Sequence, residues 1–143
     1  MFFGEYHHAL DEKGRLRIPA KLKTELGCNY IVCKGTNNCL FVFCKEYFQN
    51  EFLTKLNNVP TFSAAGQKSI RALLSSTYEV EEDSQGRVLL PAGLKEFAKI
   101  SKNVITIGVG NRIEIWSEEI YEQYFSDDAS FDDMVKGLDE FNI

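Results

Sequence analysis

The segment "DEKGRLRIPAKLK" at 11–23 returns as "DSQGRVLLPAGLK" at 83–95, 72 positions later. A chain that writes one supersecondary unit twice is constrained to pack two like units together. The correspondence extends well beyond these thirteen residues. Tyr6 meets Tyr78 at the same offset, "NYIVCKGTNN" matches "NVITIGVGNR" at 74, and "VFCKEYFQNEF" matches "IWSEEIYEQYF" at 73, pairing Phe43 with Trp116 and Phe52 with Phe125.

The local chemistry of either copy predicts its structure. Asp11 followed by Gly14, and Asp83 followed by Gly86, are turns, because Asp hydrogen-bonds the backbone ahead of it and Gly accepts positive φ. A strand should run up to each Asp and another leave from each Arg. In the leaving strand side chains alternate, so Arg15 and Arg17 share one face and Leu16 and Ile18 the other. Pro19 and Pro91 suit the first turn of a short helix, and Gly27 is placed to end the first one. "YIVC" and "LFVF" around 35–38, and "VITI" and "IEIW" around "GVGN", read as hairpins. A unit of about 45 residues cannot close a core alone, so the two copies are expected to interleave about a pseudo-twofold axis.

Between the copies, Phe48, Phe52 and Leu56, then Ile70, Leu73 and Leu74, recur at helical spacing and predict packed amphipathic helices. Phe131, Met134, Val135, Leu138 and Phe141 form a further helical stripe on an acidic background, a helix that needs something to lie against.

The net charge of −5 hides a segregation. Residues 114–143 carry ten acids and one base, a net of −9, which leaves residues 1–113 at +4 and residues 11–23 alone at +3. The basic character belongs to Lys13, Arg15, Arg17, Lys21 and Lys23, whereas the second copy has Gln85, Leu89 and Gly93 where the first has Lys13, Arg17 and Lys21, and keeps only Arg87 and Lys95. A local basic patch reads either as the footprint of a phosphate-bearing partner or as solvated surface charge.

Other chemistry is poorly supported. Cys28, Cys33, Cys39 and Cys44 lack the tight knuckles of a structural zinc site and read as reduced thiols, with no metal or cofactor expected. "GVGN" lacks the third glycine of a dinucleotide loop and precedes a strand-like segment where a helix is needed. His7 and His8 are adjacent, so in a strand they face opposite ways. No catalytic constellation is recognisable, so no enzyme is expected. No apolar run reaches the roughly 20 residues that span a bilayer, and the short "MFFG" start is no leader, so a cytoplasmic chain without a membrane partner is expected.

"MFFGEYHHALDEKGRLRIPAKLK" and "LLSSTYEVEEDSQGRVLLPAGLK" resemble the MraZ proteins, whose two DxxxR motifs appear here as Asp11 with Arg15 and Asp83 with Arg87. Each half also resembles the DNA-binding domain of the AbrB and SpoVT regulators. The resemblance covers roughly residues 1 to 125 and implies an α+β, mainly β fold. In it, two swapped-hairpin AbrB-type units interleave into one pseudo-twofold barrel with short peripheral helices. The expected organisation is a first repeat at 5–48, a helical linker at 49–75, a second repeat at 76–120 and an acidic C-terminal helical segment at 121–143.

The resemblance further implies a nucleoid-associated, homo-oligomeric ring that regulates transcription by binding double-stranded DNA. Its target would be direct repeats in the promoter of its own division and cell-wall operon. Arg15 and Arg87 would face DNA, with Lys13, Arg17, Lys21 and Lys23 beside them, while Asp11, Gly14, Pro19, Asp83, Gly86 and Pro91 build the motif. On the sequence alone the first loop is expected to make most contacts and the second to support fold or assembly. The rival reading is an antitoxin-like interaction module acting through the acidic C-terminal helix.

Overall fold

The computed structural model describes residues 1–127 and 130–143. In the first half, β1 (Phe2–Ala9) runs into the Asp11 turn, β2 (Arg15–Arg17) leaves it, and α1 (Ala20–Leu26), β3 (Asn29–Lys34) and β4 (Leu40–Cys44) follow. The second half repeats the order as β5 (Tyr78–Glu81), β6 (Arg87–Leu89), α5 (Ala92–Phe97), β7 (Asn103–Gly110) and β8 (Ile113–Ser117). Between them lie α2 (Lys45–Tyr47), a π-helical turn (Phe48–Phe52), α3 (Leu53–Asn57) and α4 (Ala64–Leu74). After β8 come α6 (Glu118–Phe125), α7 (Phe131–Met134) and a 3₁₀ stretch (Val135–Phe141).

The molecule is α+β, with most strands in one antiparallel six-stranded sheet of order β1-β7-β8-β4-β3-β5 and the remaining pair, β2 and β6, in a separate ribbon. The leading strand of each half therefore lies on the hairpin of the other. The registers repeat as well: Tyr6 faces Thr106 and His7 faces Ile105, as Tyr78 faces Val32 and Glu79 faces Ile31. At the centre β4 meets β8 through Phe41 and Glu114, residues 73 apart and equivalent in the two copies. The sheet stays open, with β1 and β5 as its edges; the barrel that the resemblance implied is not closed, because among the described residues β2 and β6 pair only with each other.

Both halves contribute to the main core. Leu16, Leu22, Leu26, Tyr30, Val32, Leu40 and Val42 meet Val88, Leu94, Val104, Ile113 and Ile115, all 4% exposed or less. Full burial of an aliphatic side chain is worth about 1.5–3 kcal/mol, so neither half keeps its core without the other. The opposite face of the sheet carries two satellite clusters. Ile31, Cys33 and Phe43 lie under the 45–57 helical segment, and Ile105 and Trp116 lie under α6. Among the linker residues, Phe48, Phe52, Leu73 and Leu74 pack there as their spacing predicts. Burial pushes the Cys33 thiol up to about 11 and the Cys39 thiol up to about 12. Both remain protonated packing groups at neutral pH.

Three local expectations shift. Pro19 and Pro91 stand one residue earlier than expected, as N-caps whose carbonyls accept from the amides three and four residues on, a position that needs no proline N–H. The second hairpin turns at Asn111 and Arg112, the last residue of "GVGN" and the one after it, while Gly108 to Gly110 still belong to β7. A Cβ on Gly108 would stand 2.2 Å from the Phe3 backbone nitrogen, so only glycine lets β1 approach. The C-terminal stripe is not one α-helix: α7 ends at Met134, and the 3₁₀ stretch carries the chain on to Asn142.

Candidate nucleic-acid interface

Asp11 builds the first turn. One of its carboxylate oxygens accepts from the Lys13 and Arg15 amides, both at 2.9 Å, and the other from Arg15 Nε at 2.7 Å. The Gly14 amide closes the turn onto the Asp11 carbonyl at 2.9 Å, with φ at +75°. Asp83 repeats this: Gln85 and Arg87 amides at 2.9 Å, Arg87 Nε at 2.8 Å, and Gly86 at φ +76°. The Arg15 and Arg87 amides, helped by their guanidinium groups, hold the carboxyls of Asp11 and Asp83 below the ordinary 3.8. Each DxxxR motif is thus a closed unit in which Asp orients Arg by a charge-assisted bond.

The two turns deliver β2 and β6 to one antiparallel ribbon, in which Arg15 faces Leu89, Leu16 faces Val88 and Arg17 faces Arg87. Leu16 and Val88 point into the core at 1% and 3% exposure. Arg15, Arg17, Arg87 and Leu89 therefore share the outer face. Arg15 and Arg87 are half-buried against their aspartates, whereas Arg17 is exposed and makes no ion pair among the described residues. These three arginines line a 430 Å³ cleft with Lys13, Asp11 and Glu12.

The ribbon thus brings Arg87 of the second loop to the cleft lined by the first-loop residues. The other expected residues fall elsewhere. Lys23 is paired with Glu82, whose carboxylate also accepts from the buried Tyr30 hydroxyl at 3.2 Å. Lys21 is exposed beside Phe3 and Glu25, outside the arginine cleft. His7 and His8 do diverge, His7 pairing with Glu5 and His8 with Thr106 Oγ1, each at 2.8 Å. Among the described residues no group of three or more His, Cys, Asp or Glu is placed to hold a metal ion, and no helix is long and apolar enough to cross a membrane.

Two basic residues missing from the sequence-based set stand beside the first turn. Lys95 and Lys102, with Ser101, line a 780 Å³ groove together with Lys13 and Gly14. A Cβ on Gly14 would lie 3.0 Å from Lys95 Nζ. Lys95 was visible as a base in the second copy, but nothing in the linear sequence places it against the first.

The family model described as "MraZ protein, putative antitoxin-like" matches residues 1–68 and 73–141. Relatives named "Transcriptional regulator MraZ" align along their whole length and that of this chain. They include those of Thermoanaerobacter pseudethanolicus, 45% identical, Caldanaerobacter subterraneus subsp. tengcongensis, 44% identical, and Moorella thermoacetica, 40% identical. With both Asp-clamped turns inside the matched segments and the match running nearly from end to end, the chain belongs to the MraZ family.

Proposed function

We propose that this protein is a DNA-binding transcriptional regulator that reads short direct repeats in the promoter of its own division and cell-wall operon. The observation that carries this reading is the outer face of the β2–β6 ribbon, where Arg15, Arg17 and Arg87 are presented together. A two-stranded ribbon fits the major groove, and an arginine fork there reads guanine O6 and N7. Alternate residues on a strand are about 6.8 Å apart, close to two base-pair steps. The names of the full-length relatives support the same reading.

The two halves are read as AbrB-type units with exchanged hairpins, a reading supported by each leading strand lying on the other half's hairpin. The protein works in the cytoplasm on the nucleoid, as a homo-oligomeric ring offering the arginine face to several DNA boxes at once. Each subunit makes few phosphate contacts and binds weakly in salt, so repetition supplies avidity. Exposed Phe131, Met134, Leu138 and Phe141 support a second reading, an antitoxin-like module that docks a protein through the C-terminal segment.

Fluorescence anisotropy with duplex from upstream of the gene, against a scrambled duplex, tests the first reading. Arg17→Ala should weaken binding to the promoter duplex at least tenfold without lowering the melting temperature, and Arg87→Ala should weaken it as well. Equal affinity for promoter and scrambled DNA would overturn the promoter assignment.

A further inference from the structure

We propose that Lys95 and Lys102 hold the phosphodiester backbone of bound DNA beside the first turn, making the second half of the chain a direct part of the first half's binding surface. The inference rests on the DNA-binding reading above. Its basis is the groove in which both lysines meet Lys13, Gly14 and Ser101. That groove shares Asp11, Glu12 and Lys13 with the arginine cleft, so the cationic surface continues from Arg17 and Arg87 through Lys13 to Lys102. Asp11 is occupied by its own turn, which leaves Glu12, among the described residues, as the one opposing carboxylate lining the groove that is not so engaged.

The chain carries its own internal control. The position equivalent to Lys95 in the first copy is Lys23, which pairs with Glu82. The position equivalent to Glu82 is Leu10, buried at 4%, so Lys95 meets no carboxylate there and makes no ion pair among the described residues. The position equivalent to Lys102 is Cys28, so the second turn also lacks that cation. The same backbone framework therefore presents at one turn two lysines outside any ion pair among the described residues, Lys102 also lining a neighbouring pocket with Glu118 and Glu119, and at the other a lysine that is paired. An ammonium held on a groove wall without a partner carboxylate is suited to a phosphate oxygen, a contact that positions the duplex without reading sequence. Arginine face and lysine groove then divide the work: the ribbon lies toward the bases and the groove follows one strand's backbone.

The test uses the full-length protein and measures duplex affinity from 50 to 300 mM salt for Lys102→Ala, Lys95→Gln and the double variant, with exposed Lys68→Ala on α4 as the control. Lys95 is half-buried, so Gln keeps most of its packing, and thermal melting of each variant verifies folding. Each groove substitution should lower the slope of log K against log salt by about 0.9, weakening promoter and scrambled duplex by the same factor. Lys68→Ala should change neither. A double variant with unchanged slope, in a protein that still binds the promoter, would overturn the groove assignment and leave the arginine reading standing. Failure of the unmodified protein to bind any duplex would overturn both. Inorganic phosphate at matched ionic strength separates a small-anion site from a backbone track: saturable shifts of the Gly14 and Lys102 amides at millimolar phosphate would replace DNA as the ligand.

Discussion

Asp11 and Asp83 each accept three hydrogen bonds from their own turns, so their ionised forms are part of the fold. Both carboxyls titrate below 3.8 in the folded protein, which fixes the sign of the pH dependence. A depressed folded value stabilises the turn above the unfolded value, and that contribution is lost as pH falls through the folded one. Carboxyl carbon NMR should therefore give midpoints below 3.8 for both, with turn order unchanged between pH 5 and 8; a midpoint at or above 3.8 for Asp11 would contradict the clamp. Gly14 and Gly86 permit a second test at this scale. Their φ angles are +75° and +76°, so alanine at either should cost about 1–2 kcal/mol in strain. Only the Cβ at 14 would meet a neighbour, Lys95 Nζ, whereas that at 86 meets nothing within 4 Å. Denaturant melts should show similar losses for Gly14→Ala and Gly86→Ala, while DNA affinity of the folded protein should fall only for Gly14→Ala.

The β2–β6 ribbon is nearly symmetric, and Leu89 is where it departs. It occupies the place that Arg17 holds in the other strand and is 66% exposed, a large apolar side chain on a cationic face. Leu89→Arg should leave the melting temperature within a degree or two, because little packing is lost. If the ribbon lies on DNA along both strands, it should steepen the salt slope by about 0.9 for one more phosphate contact. An unchanged slope would mean that the β6 side of the ribbon stands away from the duplex. Much of this element was legible in the sequence, because its determinants are local. Asp, Gly and Arg within five residues set the turn, and "RLRI" alternates so that Leu16 must be buried when Arg15 and Arg17 are not. The pairing of Arg17 with Arg87, the neutralisation of Lys23 by Glu82 and the approach of Lys95 to Gly14 were not legible. Each joins residues at least 59 apart and depends on which half's leading strand lies on which hairpin. That the turn falls only at the end of "GVGN" has a similar cause: Gly108 looks like turn chemistry in isolation, but it serves the approach of β1.

At the scale of the whole molecule, basic and acidic surfaces lie at opposite ends of the sequence, and the acidic end is also the apolar one. Phe131, Met134, Leu138 and Phe141 are 73%, 41%, 45% and 64% exposed. In a 3₁₀ helix residues three apart eclipse, so Val135, Leu138 and Phe141 line a single edge. Exposed aromatic and aliphatic side chains aligned on one edge fit burial against another chain better than solvation. Deleting residues 126–143 separates the readings, since the ribbon and the lysine groove lie wholly outside that segment. If the segment joins copies of this chain, light scattering should show a smaller assembly. Affinity for a duplex with one DNA box should stay within about twofold, and affinity for several boxes in series should fall by a factor on the order of 10²–10⁴ as effective concentration is lost. If it docks a different protein, the assembly and both DNA affinities should be unchanged. A truncated protein that binds the single box tenfold more weakly would show instead that the acidic segment supports the DNA face itself.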